Sequence, residues 1–164
     1  MKFTKVRNVK SPVRGTSKSA GIDFFVPTDL PFAIHVQPHS DFLIPSGIKM
    51  NIPEGFMLMA ADKSGVVTST TSIKRVGMVP KEGAFDSVII IGAKIVDEDY
   101  QGEIGIHVIN CSDTEVIIEP NTKIAQFILV PVSYEELEEV DEKDLFNEVS
   151  ERGNRGFGHG TGTK

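Results

Sequence analysis

What most limits the fold of this chain is its punctuation. Nine prolines and fifteen glycines are scattered through 164 residues, and they interrupt short apolar runs dominated by Val and Ile. Runs too short for helices and bounded by turn residues predict many β-strands joined by tight turns. Strands are expected near residues 2–10, as an edge, and then at 20–26, 34–36, 41–45, 47–52 and 56–61. A further strand is expected at 116–118, while 123–132 is so continuously apolar that it should be buried on both faces. The length suits one domain with an adequate core, and no repeat of solenoid or propeller period is present. The expected fold is an all-β barrel or jelly roll over residues 1–133.

Two segments fall outside that pattern. Val66 to Phe85 is long and polar with little apolar periodicity; a loop of that length in a β domain is usually functional or mobile. From Tyr134 to Glu151 the chain is strongly acidic, which reads as a solvated arm, extended or with one helical turn. Glycines then alternate from Gly156 to Gly162, and such a tail cannot supply a core of its own. Residues 134–164 are therefore expected to form a flexible Gly-rich C-terminal arm.

Composition removes several function classes. A net charge of −6 argues against long-range attraction to nucleic acid. The single cysteine, Cys111, excludes an internal disulfide, and its apolar flank predicts a buried thiol rather than a nucleophile. No apolar run approaches the roughly 20 residues of a membrane span, and Met1-Lys2-Phe3-Thr4 does not open a signal peptide. A soluble, cytoplasmic protein is the expectation. His35, His39, His107 and His159 lack zinc-site spacing, and no Ser occupies a nucleophile elbow. The Gly-rich tail lacks the Gly-Lys-Ser/Thr of a phosphate-binding loop.

The most unusual stretch is 92–108. Upstream stand Val88, Ile89, Ile90, Ile91, Ile95 and Val96; downstream Ile104, Ile106 and Val108 alternate with Glu103, Gly105 and His107. That pattern predicts a β-hairpin whose tip carries Asp97, Asp99 and Tyr100 in place of the usual Asn-Gly or Asp-Gly. An Asp closing an apolar strand is expected to be partly desolvated, which raises its proton affinity and suits it to act as a base. A neighbouring Tyr offers a flat face for a sugar. A solvated turn whose Asp residues cap backbone N–H groups explains the same residues, and this stretch alone leaves both readings open.

Other clusters are of phosphate-binding type. Lys63-Ser64-Gly65 offers a cation, a hydroxyl and a Gly whose N–H can approach an oxyanion. Gln126 is a lone amide in an apolar strand and needs a partner if buried. Asp23 is an isolated carboxylate in another apolar strand and could hold a hydrated Mg²⁺. Arg152 and Arg155 flank Gly-rich backbone, and Phe157 stands between glycines, where an aromatic is useful if it closes over something flat. Each also has a plain structural use: a bulge for Gln126, a turn cap for Asp23, a solvated charge for Lys63.

Together these clusters resemble one family, the trimeric dUTP pyrophosphatases (dUTPases). Five motifs occur in order over nearly the whole chain: Ala20-Gly21-Ile22-Asp23, Lys63-Ser64-Gly65, the segment from Val96 to Glu103, Lys123-Ile124-Ala125-Gln126, and Arg152-Gly153 to Gly156-Phe157-Gly158. The resemblance implies a homotrimer of distorted jelly-roll barrels with active sites at the subunit boundaries, hydrolysing dUTP to dUMP and pyrophosphate. By that likeness Asp97 would be the general base for water attacking the α-phosphorus. Tyr100 would pack under the deoxyribose, and hairpin backbone would pair with the uracil edge. Lys63, Ser64, Gly65 and Gln126 would hold phosphates, with Asp23 contacting Mg²⁺ through water. The arm of a third subunit would bring Phe157 and Gly158 over the base and Arg152 to the γ-phosphate.

Three departures accompany the likeness. The family usually has Arg where this chain has Lys63, which keeps the charge and loses the planar fork. The stretch from Gly65 to Asp97 is longer than usual by roughly fifteen residues, and Lys74, Arg75 and Lys81 lie in it. An Asn often found on the first strand of the third motif is replaced in the region of Ile91 and Gly92, so base recognition rests more on backbone. Two alternatives stand beside this reading: a dCTP deaminase of the same superfamily, and a nucleotide-dependent protein-binding or signalling module using loop 66–85 against a protein partner.

Overall fold

Strands form where the apolar runs predict them, and they pair into four sheets around one core. A computed structural model of the chain describes residues 1–30, 32–67, 73–75 and 89–154. The first half holds β1 (Lys2–Lys5), β2 (Val13–Arg14), β3 (Gly21–Phe25), β4 (Ile34–Val36), β5 (Asp41–Pro45), β6 (Ile48–Asn51) and β7 (Phe56–Asp62). A single helical turn follows, α1 (Ser64–Val67), and then β8 (Ile73–Arg75), β9 (Ile89–Ile91) and β10 (Ile95–Val96). The series closes with β11 (Gly105–Asn110), β12 (Val116–Ile118) and β13 (Lys123–Pro131).

The largest sheet runs β10-β7-β13-β3-β2, beside sheets ordered β5-β11-β9, β4-β12-β8 and β1-β6. Every described strand pairing is antiparallel. Residues from all four sheets enter one apolar cluster, including Phe24, Ile44, Ile48, Leu58, Ile89, Ile106, Ile118 and Phe127. Phe24 and Phe127 meet at its centre with ring centroids 4.4 Å apart and planes tilted by 47°, a favourable aromatic arrangement. This is the all-β jelly-roll barrel that the punctuation predicted.

The chain divides into two compact units, Met1–Ser133 and Tyr134–Lys164. Among its described residues, 134–154, the second carries one 3-10 turn, at Glu142–Asp144, as its acidic sequence allows. No helix among the described residues is long and apolar enough to cross a membrane.

Four expectations need correction. The stretch 88–108 is not a plain hairpin: β9 pairs with β11, but β10 leaves that partner and pairs with β7. The switch follows from Ala60 donating to the Lys94 carbonyl at 2.6 Å, which draws the chain onto the edge of the large sheet. Strand β13 is not buried on both faces. Ile124, Ala125 and Phe127 are buried, whereas Ile128, Leu129 and Val130 are half-buried and Pro131 exposed, because the strand outruns the core.

Cys111 is exposed, not a buried thiol. The inward phase of β11 runs Ile106, Val108, Asn110, so the next residue points out and a polar side chain takes the core position. Asn110 donates its amide to the carbonyls of Val36, Gln37 and Thr114 within 3.0 Å and accepts from Ser112, so its burial is fully satisfied. Finally, the 66–85 segment is not uniformly loop, since β8 forms the edge beside β12; residues 68–72 and 76–85 lie outside those described.

Candidate active site

Three of the five motifs meet at one end of the large sheet. Antiparallel register sets Gln126 of β13 directly opposite Asp23 of β3 on one side and Ala61 of β7 on the other. Asp62 and Lys63 follow at the exit of β7, and Ser64 opens α1. Gln126 finds the partner its burial demands, donating Nε2–H to the Asp62 carbonyl at 2.8 Å. Gly21 makes room for that amide, since a Cβ at Gly21 would overlap the Gln126 side chain. The glycine of the first motif and the glutamine of the fourth are thus a steric pair.

Asp23 is 5% exposed and accepts two ammonium groups, Lys63 Nζ on Oδ1 at 3.0 Å and Lys123 Nζ on Oδ2 at 2.9 Å. Burial pushes its carboxyl up, but the hydrogen bonds and charges of Lys123 and Lys63 outweigh that and hold it below the usual carboxylate range. One ionised carboxylate between two ammoniums leaves the Asp23–Lys63–Lys123 trio with one net positive charge. Lys123 also sits 5.6 Å over the ring of Phe25. The second lysine was legible only as part of a motif; the strand register, with Lys123 opposite Phe25, is what carries it to Asp23.

The third motif lies elsewhere. Ile95 and Val96 pair with Met59 and Leu58, so the continuing register puts Asp97 beside Met57. Lys63 is six residues further along that strand, a separation of roughly 20 Å at about 3.3 Å per residue. Asp97 is exposed, so its own chain does not supply the desolvation expected of it. The tip's two glutamates are committed to holding the loop. Glu98 accepts the Gly55 N–H, and Glu103 accepts the Gly47 N–H at 2.7 Å and Arg7 Nε at 2.8 Å. The Glu103 hydrogen bond and charge raise the Arg7 pKa above its ordinary value. The side chains of Asp97 and Asp99 have no hydrogen bond among the described residues.

Tyr100 is 47% exposed. Its N–H closes the turn on the Asp97 carbonyl at 3.2 Å, and its hydroxyl donates to the Glu103 carbonyl at 3.0 Å. The ring is therefore tethered at both ends and keeps exposed surface. A groove of about 490 Å³ adjoins it, lined by Lys2, Thr4, Lys49, Glu98, Tyr100 and Gln101 among others.

In the second unit Arg152 is exposed on a turn where Gly153, at φ +52°, donates to Ser150 at 3.0 Å. Phe157 and Gly158 lie outside the described residues. Among the described residues no group of three or more His, Cys, Asp or Glu side chains gathers as a metal cage.

Comparison with known proteins bears on nearly the whole chain. The dUTPase family model matches residues 75–161. The chain is 33% identical over 160 residues to the deoxyuridine 5′-triphosphate nucleotidohydrolase of Fusobacterium nucleatum, covering 97% of this chain and 94% of that one. Among solved structures, the Staphylococcus bacteriophage 80alpha dUTPase with dUPNHPP matches with a TM-score of 0.73 at 24% identity, over 96% of this chain and 95% of that chain. A mutant dUTPase from phage phi11 of S. aureus, whose structure describes coordination of a structural Mg(II) ion, matches with a TM-score of 0.65 at 21% identity, over 86% and 96%.

Proposed function

This chain belongs to the dUTPase family, and from that premise we propose that it hydrolyses dUTP to dUMP and pyrophosphate, as a homotrimer whose sites form between subunits. Water attacks the α-phosphorus, the bond to the bridging oxygen of pyrophosphate breaks, and Asp97 takes the proton from the attacking water. Triphosphate hydrolysis is chiefly a matter of positioning and of neutralising charge on phosphate oxygens. Lys63, Ser64, Gly65 and Gln126 are the groups for that task, and Lys123 adds a second ammonium beside them. Tyr100 supplies the face beneath the deoxyribose. Arg152, Phe157 and Gly158 come from the arm of a third copy.

The observation that carries this reading is the separation within one chain. A cationic corner and an exposed carboxylate, each typical of half a phosphohydrolase site, stand roughly 20 Å apart on one sheet. A second copy that docks its Asp97 against the first copy's Lys63 and Gln126 completes the site, and the same docking desolvates the carboxylate. The exposed tip and tethered Tyr100 ring support that arrangement.

Mg²⁺ belongs to the same proposal. The described residues offer no cage, and both Asp23 oxygens already accept ammonium protons, so Asp23 would suit an outer-shell role, accepting from water held by the metal. When bound with the triphosphate, the metal neutralises charge on its oxygens.

Pyrophosphate release tests the reading directly. With Mg²⁺ present, dUTP should be preferred over dTTP, dCTP and UTP by at least about a hundredfold, and EDTA should remove the activity reversibly. Light scattering should report three chains per particle. Equal turnover of the four nucleotides, or a stable active monomer, would overturn it.

A further inference from the structure

The bend between β9 and β10 is held one backbone group at a time. Ile91 N–H donates to Asp62 Oδ1 at 2.6 Å, Gly92 N–H to the His107 carbonyl at 2.9 Å, and Ala93 N–H to His107 Nδ1 at 3.1 Å. The Lys94 carbonyl then accepts from Ala60. On its far side the His107 ring bonds Asp41 Oδ2 of β5 through Nε2 at 2.9 Å. A nitrogen that accepts a backbone N–H carries no proton, so His107 is the neutral Nε2–H tautomer and Asp41 keeps the ring in that orientation. The packing is tight: a Cβ on Gly92 would overlap Nδ1 of the ring and also meet Ile109 Cδ1.

We propose that His107 is a positioning residue for the nucleotide site: through Ala93 it sets the bend into β10, which aims Asp97 at the attacking water and the adjoining backbone at the bound base. The inference rests on the dUTPase reading above. Asp97 lies only four residues beyond Ala93, and β10 is two residues long with β7 as its partner. A strand so short does not hold its own direction; the preceding bend does. Because Ile91 carries no hydrogen-bonding side chain and Gly92 none at all, polar recognition by this segment falls to its backbone, and the register of that backbone governs it. Releasing Ala93 therefore costs both turnover and discrimination against the methyl of thymine.

The test uses His107→Ala, His107→Asn, Gly92→Ala and the Gly92→Ala/His107→Ala double variant of the full chain. Asn can set an amide oxygen where Nδ1 stands and accept from Ala93. His107→Ala should lower kcat/KM for dUTP between about tenfold and a hundredfold and shrink the dUTP-to-dTTP ratio. His107→Asn should restore most of both. Gly92→Ala should harm at least as much as His107→Ala, because its Cβ would meet Ile109 Cδ1 as well as the ring, and the double variant should lose less than the sum of the two single changes, since they share the contact with the ring. Long-range ¹⁵N–¹H spectra of the native chain should show the Nε2–H tautomer, with the Ala93 amide exchanging more slowly than in His107→Ala. An Nδ1–H tautomer, an Asn variant as impaired as Ala, or additive losses in the double variant would each overturn the proposal. A native chain inert toward dUTP would instead sink the proposed function, while tautomer and amide protection would still be read.

Discussion

Asp23, in the middle of β3, and Asp97, just past the end of β10, are both acidic residues borne by apolar strands, yet they are opposites. Asp23 is buried and each of its oxygens accepts a lysine ammonium. Asp97 is exposed, and its side chain has no hydrogen bond among the described residues. The corner is satisfied inside one chain, so its geometry belongs to the fold. The tip has its glutamates spent on Gly55, Gly47 and Arg7, and its aspartates left over. A carboxylate positioned by a turn and without a hydrogen bond among the described residues is the one that the proposed docking of a second copy would use.

Substitutions at the two places should therefore break different things. The largest effect is expected at the tip: Asp97→Asn should reduce kcat by about a thousandfold or more, while a non-hydrolysable dUTP analogue still binds within severalfold and the melting temperature does not move. Retained turnover would remove Asp97 as the base. At the corner, Asp23→Ala leaves two ammoniums facing each other and should destabilise the fold by about 2 kcal/mol, less than a fully buried pair because both lysines reach solvent. Calorimetry decides this.

The corner also has a pH signature. Its carboxyl binds a proton less readily in the folded chain than the usual value of about 3.9. The stabilisation is thus fully present above that value and is lost as the pH falls through the lower folded one. The melting-temperature gap between the native chain and Asp23→Asn should be constant from pH 7 to about 5 and narrow toward pH 3. A gap that widened on acidification would contradict the paired geometry.

Smaller effects sharpen the contrast. Lys63→Arg restores a planar fork beside Asp23 and should change KM for dUTP by only severalfold, measured by initial rates. Tyr100→Phe removes one hydrogen bond to the Glu103 carbonyl, worth about 1 kcal/mol, and should loosen the tip with little loss of fold stability. Amide exchange at Gln101 and Gly102 would register it.

Much of this was legible in the residues. The strands from 20–26 to 56–61 follow from apolar runs between turn residues, and the five motifs could be recognised in order because each is a short string of adjacent residues. The misreadings share one cause. Val88 to Val96 looks like one hairpin arm, because periodicity does not say with which strand a segment pairs; only the Ala60–Lys94 contact does. Cys111 looked buried by its flanks, whereas the phase of β11 gives the inward position to Asn110. That phase was visible in Ile104, Ile106 and Val108 and could have been extended by one step.

By itself, then, the sequence determined the class of fold, the strand-and-turn rhythm and the set of candidate site side chains, since these depend on local periodicity and on chemistry carried by single residues. Tertiary structure alone decided that Lys123 joins Lys63 on Asp23, that β10 crosses to β7, and that Asp97 stands apart from the cationic corner. Those are matters of register between strands far apart in the chain. Register is set by how distant backbones hydrogen-bond and how side chains fill one shared core, and no local pattern encodes it.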